Sequence, residues 1–70
     1  MDAKILNKNI AENLRKIRAI KRISQDDLAN ICDISQQYIC KIEKEKVNPS
    51  ILILYKIANA LEITVNDLVY

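Results

Sequence analysis

Between Ser35 and Lys44 the chain reads SQQYICKIEK, and its polar residues are of the kinds that recognise hydrogen-bonding edges and anions. At about 100° per residue, with the apolar stripe centred between Ile39 and Ile42, Gln37 and Lys44 point roughly 170° away from the apolar side. Cys40 and Lys41 lie about 130° away, and Gln36 sits on the flank at the N-terminal end. The outward face thus carries two amides and two lysines, with no acid among them. A glutamine amide can pair with the N6 and N7 edge of adenine, and a lysine donates to guanine or to phosphate. This is the chemistry of reading a nucleic acid.

Catalytic and metal chemistry find little footing. The chain has no histidine and no glycine, hence no Cys–His pair and no glycine-rich phosphate loop. Several carboxylates stand where helices start, as capping residues. Zinc takes about four ligands, and Cys32 and Cys40 alone cannot supply them. Two unpaired thiols fit a reducing compartment. No enzyme activity, metal or cofactor is expected.

The elements that must position the outward face follow from spacing and caps. Ile10, Leu14 and Ile17 share one side of a first helix, expected over about Asn9–Lys21, with Asn9 and Glu12 as a capping box or Asn7 as an alternative cap. Ser24 and Asp27 open a second helix whose buried side reads Leu28, Ala29, Ile31 and Cys32. After a short break at Asp33-Ile34, Ser35 caps the third, which runs to about Lys44. A polar loop ends at Pro49, and Ser50 caps a fourth helix with Leu54, Ile57, Ala58 and Leu61 facing inward. Thr64 and Asp67 cap a short last helix containing Leu68. The small Ala29 lets the second and third helices approach, and Leu28, Ile34, Ile39 and Ile42 close one apolar wedge. The expectation is a compact all-α domain of five helices spanning 1–70, with a helix-turn-helix at about 24–44.

Composition agrees. Half of the 70 residues are apolar, but the only aromatics are three tyrosines, so the core must be aliphatic. The net charge of +2 says little by itself. Its distribution says more, because seven of the eleven basic residues fall within the first 22 positions and Lys41, Lys44 and Lys46 form a second group. The longest unbroken apolar run, Ile51–Tyr55, is far too short to span a bilayer, and the first residues lack the apolar core of a secretion signal. A cytoplasmic protein without membrane association is expected.

The stretches NLRKIR, SQDDLA, DISQQYICKIE, NPS and IANALEITVNDL together resemble the phage-repressor (Cro and lambda-repressor-like) helix-turn-helix family, over nearly the whole chain. Short bacterial or phage-encoded regulators of this kind include phage repressors and the controller proteins of restriction–modification systems. The resemblance implies a transcription regulator, a repressor by default, that reads double-stranded DNA. It places Gln36, Gln37 and Lys41 at base-reading positions. Ser24, Gln25, Tyr38, Lys44, Lys46 and Asn48 match backbone-contacting positions. Arg18 and Glu43 match an ion pair between the first and third helices, and each lies about 70° from its own helix's apolar centre. Two departures stand out: the family usually has glycine at the positions of Asp33 and Glu45. Aspartate tolerates the left-handed backbone, whereas Glu45 implies a different loop geometry and puts an acid near the DNA. Cys40 stands where serine is common.

One module of this size reads few base pairs, so a homodimer on a palindromic operator is expected. Ile51, Leu52, Tyr55, Val65, Val69 and Tyr70 make the candidate dimer patch. A second class of reading is a protein-interaction module, such as an antitoxin whose apolar face holds a toxin while DNA binding is retained. RNA polymerase and a toxin are the protein partners these readings allow.

Overall fold

The computed structural model describes residues 2–70, which form five helices: α1 (Ala3–Lys21), α2 (Gln25–Cys32), α3 (Gln36–Glu43), α4 (Ile51–Leu61) and α5 (Val65–Val69). Each starts at a side-chain cap that accepts one of the first-turn amides the helix itself leaves unbonded. Ser24, Ser35 and Ser50 accept from Asp27, Tyr38 and Ile53 through their hydroxyls, at 3.0, 3.1 and 3.2 Å. At α5 the cap is reciprocal, Thr64 accepting from Asp67 N while Asp67 accepts from Thr64 N.

The first helix is longer than its sequence implied. It begins at Ala3, with Asp2 accepting from Ile5 N at 2.9 Å, and neither Asn7 nor Asn9 is its cap. Nothing from Ala3 to Lys8 breaks a helix, and Leu6 extends the apolar stripe by another turn to meet the core. Asn9 instead donates to the Val69 carbonyl at 3.2 Å, and Asn13 donates to Leu68 O at 2.8 Å. Two amides of α1 thereby satisfy orphan carbonyls of α5 and fasten that short helix in place.

The turns are made without glycine. Arg22, Asp33, Glu45 and Glu62 all have φ between 56° and 61°, the left-handed region. In each case the residue after it bonds back to a carbonyl five positions earlier: Ile23 to Arg18, Ile34 to Ala29, Lys46 to Lys41, and Ile63 to Ala58, at 2.9–3.0 Å. This is the Schellman closure of a helix end. Glu45 therefore adopts the backbone a glycine would, and the altered loop expected from its side chain does not arise. Three of the closures place an isoleucine directly after the left-handed residue, and Ile23, Ile34 and Ile63 all pack against the core.

Ile10, Leu14, Leu28, Ile39, Ile42, Ile57, Leu61 and Leu68 are fully buried, so every helix contributes to one aliphatic centre. Burial of each such side chain favours folding by about 1.5–3 kcal/mol. Ala29 is buried where α2 meets α3. Ile31, expected on the buried side of α2, is 61% exposed. Leu28 and Cys32 already define the inward direction, and Ile31 stands about 100° from Cys32 around the helix.

Candidate nucleic-acid interface

The second and third helices are joined by only three residues. Asp33 turns the chain, Ile34 plugs the corner by donating to Ala29 O at 3.0 Å, and Ser35 caps α3. Ile39 and Ile42 hold α3 against the core. Its other side then has no choice. Gln36, Gln37, Lys41 and Lys44 are all exposed, along one polar face whose N-terminal end carries the two amides.

A carboxylate hub fixes this helix to its neighbours. Glu43 is buried, the one charged residue so placed among those described. Arg18 grips it with both arms of the guanidinium, Nε to Oε2 at 2.7 Å and Nη2 to Oε1 at 2.9 Å. Gln25 Nε2 donates to the same Oε1 at 2.9 Å. The remaining Arg18 nitrogen, Nη1, donates to Ile23 O at 2.9 Å, and Arg15 Nη1 donates to the Glu43 carbonyl. One side chain thus ties α1, α2 and α3 together. The hydrogen bond that Arg18 donates to Glu43 raises the Arg18 pKa above its ordinary value, against the opposing effect of burial. The guanidinium is charged at any physiological pH.

Two of these bonds were missed in the sequence. Gln25 reaches Glu43 across a helix interface, and nothing in its local spacing announces that. Arg15 lies three residues before Arg18 on the same flank of α1, a spacing that could have flagged it. Because Gln25 is engaged with Glu43, a contact from this residue to phosphate falls to its second amide hydrogen or its backbone N–H. Ser24 is exposed beside it, at the N-terminus of α2, where the helix dipole favours an anion.

Beyond α3, Lys44, Lys46 and Asn48 are exposed on the loop, with Val47 packed inward and Pro49 buried. Tyr38 is half-buried against the core rather than fully outward. Of the apolar patch, Ile51, Leu52, Tyr55 and Tyr70 are 71%, 61%, 54% and 81% exposed. Val65 and Val69 are half-buried against the core and contribute only part of their surface. Cys32 is buried, its Sγ 3.7 Å from Lys56 O, and burial pushes its thiol pKa up, which makes it a poor nucleophile. Cys40 is half-buried. Among the described residues no helix is long and apolar enough to cross a membrane, and no group of acidic or sulfur side chains could hold a metal ion.

A capped helix laid across a second one, whose outward face carries amides and amines and no acid, defines a helix-turn-helix DNA-binding domain. Comparison with known proteins agrees: the family model described as helix-turn-helix matches residues 14–68. The chain is 36% identical over 59 residues to the control protein C.SmaI of Serratia marcescens, covering 84% of this chain and 70% of that one. It is 32% identical over 60 residues to the immunity repressor protein of Bacillus phage phi105, covering 86% of this chain and 42% of the repressor. The crystal structure of the restriction–modification controller protein C.AhdI from Aeromonas hydrophila superposes with a TM-score of 0.85 at 29% identity, over 89% of this chain and 94% of the controller. The chain belongs to this helix-turn-helix family, whose members are DNA-binding transcriptional regulators and not enzymes. The resemblance to phage repressors and controller proteins read from the sequence is borne out.

Proposed function

We propose that the chain regulates transcription as a homodimer on a two-fold-symmetric operator, with α3 of each copy in a major groove and half-sites about one helical turn apart. In this reading Gln36, Gln37 and Lys41 contact base edges. Ser24, Gln25, Tyr38, Lys44, Lys46 and Asn48 contact the sugar–phosphate backbone and fix the register, carrying no sequence information themselves. Ile51, Leu52, Tyr55 and Tyr70, with part of Val65 and Val69, meet their counterparts in the second copy. Repression follows when the occupied site overlaps that of the polymerase.

The observation that carries this proposal is the acid-free face of Gln36, Gln37, Lys41 and Lys44, held outward by Ile39, Ile42 and the Glu43 hub. A helix that only had to be soluble would be expected to mix charges on that face; this one presents amides and amines without an acid. Selection of bound fragments from random duplex DNA tests the reading directly. We expect one palindromic sequence to be enriched. Against that sequence Gln36→Ala should lose discrimination at one base pair per half-site, by about 1–3 kcal/mol, while binding to unrelated duplex stays unchanged. Equal weakening on every duplex would remove Gln36 from the base-reading set.

A further inference from the structure

The first helix carries positive charge outside the outward face of α3. Around α1, counted from the buried Leu14 at about 100° per residue, Lys4, Arg15 and Lys8 fall at roughly 80°, 100° and 120°. All three are exposed. They form a line about 16 Å long, and α1 contains a single acid, Glu12, which borders the line at roughly 160°, one turn after Lys8. Arg18 sits beside it at roughly 40°, but its charge is spent on Glu43.

This line lies on the flank of α1 that faces α3. Arg15 shows it, because its guanidinium reaches the carbonyl of Glu43, the last residue of α3. Directly beyond Glu43 come Lys44 and Lys46, both exposed. Arg15 therefore joins the row on α1 to the C-terminal end of α3, where Lys44 and Lys46 flank the single acid Glu45. The opposite flank of α1, with Ile10 and Asn13, is turned towards α5. The family model matches residues 14–68, and Lys4 and Lys8 lie before that stretch.

We propose that Lys4, Lys8 and Arg15 form an auxiliary phosphate-binding strip, which runs along the DNA backbone beside the groove that α3 occupies and extends the contact without adding base specificity. A linear row of like charges at one-turn and two-turn spacing matches a linear polyanion. With one bordering acid for three cations, it keeps a net positive charge that a phosphate strand neutralises. The proposal rests on α3 facing the DNA, and it separates from that reading by its readout, since backbone contacts govern the salt dependence of binding and base contacts govern preference.

The test is a salt titration of duplex binding with the full chain, using the fragment enriched by selection and an unrelated duplex. Removing one lysine–phosphate interaction should lower the slope of log K against log salt by about 0.9. The Lys4→Gln/Lys8→Gln variant should therefore flatten the slope by about 1.5–2 on both duplexes and leave the ratio of the two affinities unchanged. The control Lys16→Gln/Lys56→Gln removes the same charge from elsewhere on the surface and should leave the slope within about 0.5 of the parent. Both double variants alter exposed side chains, so their thermal melts should match the parent. Identical slopes for the two double variants overturn the strip. A parent that binds with a steep slope but prefers no sequence overturns the base-reading role of α3, and the strip then stands or falls on the same slope comparison. A parent with no salt-dependent binding overturns both.

Discussion

A buried carboxylate is costly unless it is paired and hydrogen-bonded, and Glu43 meets that condition with three bonds from Arg18 and Gln25. Removal of one partner is therefore far worse than exposure of a surface pair. Glu43→Ala should destabilise the fold by about 3 kcal/mol, the low end for a broken buried pair because the Arg18 side chain keeps 18% of its surface in water. Gln25→Ala removes one of three donors and should cost about 1 kcal/mol. Chemical denaturation of the two variants checks both figures, and a Glu43→Ala curve that overlays the parent would reject the hub. Alkali is no practical lever on this pair. The folded pKa of Arg18 is raised, so its contribution is complete below the unfolded value and is lost only as the pH climbs through the still higher folded value. The hub also has a functional side. It sets the position of α3, so Glu43→Ala should weaken binding to the selected fragment more than to unrelated duplex.

At the scale of elements, the turns carry stored cost. A non-glycine residue in the left-handed region loses about 1–2 kcal/mol to the clash of its Cβ, and glycine returns about 0.5–1 of that through its freer unfolded chain. Glu45→Gly and Glu62→Gly should each stabilise the protein by about 0.5–1 kcal/mol, visible as a rise of a few degrees in the thermal midpoint. Glu45→Gly should also tighten DNA binding, because it deletes an acid between Lys44 and Lys46; unchanged melts for both variants would mean the strain is already relieved. The same closures explain what could be read from the chain beforehand. Ser24, Ser35, Ser50 and Thr64 announce their helices because a short hydroxyl before an apolar stripe has few other uses. The stretches RIS, DIS and EIT repeat one turn: a left-handed residue, a core isoleucine, then the next cap. Glycine normally flags the first of these, and with none in the chain the repeat is easy to pass over. The start of α1 was not legible for the opposite reason. Asn7 and Asn9 look like caps, but Asp2 lies further out with no breaker between, and Asn9 is held by α5 from 60 residues away. Ile31 misled likewise, since an isoleucine between core positions looks buried until the helix is placed.

For the molecule as a whole, the question is what covers the face opposite in role to α3. Ile51, Leu52, Tyr55 and Tyr70 stand more than half in water, while Ile53 and Leu54, their neighbours on α4, turn inward to the core. A helix of a monomer would be expected to place polar residues there, so the arrangement favours a second copy as the cover. A standard interface of about 800 Å² per partner would occupy roughly a sixth of the 4534 Å² surface, and these four side chains would supply its apolar centre. Tyrosine there offers a large contact area with a hydroxyl that tolerates the rim. Leu52→Lys/Tyr55→Lys should therefore sediment as a monomer at concentrations where the parent is a dimer. Because neither side chain belongs to the buried core, the monomer should keep its helical content. Its binding to a full palindrome should fall to that of a half-site, with the deficit largest on well-spaced half-sites and absent on a single one. A parent that is itself monomeric at high micromolar concentration, or a double variant that still dimerises, would move the interface elsewhere. The base-reading role proposed for α3 would be untouched by either result, since α3 and the Glu43 hub use none of these residues.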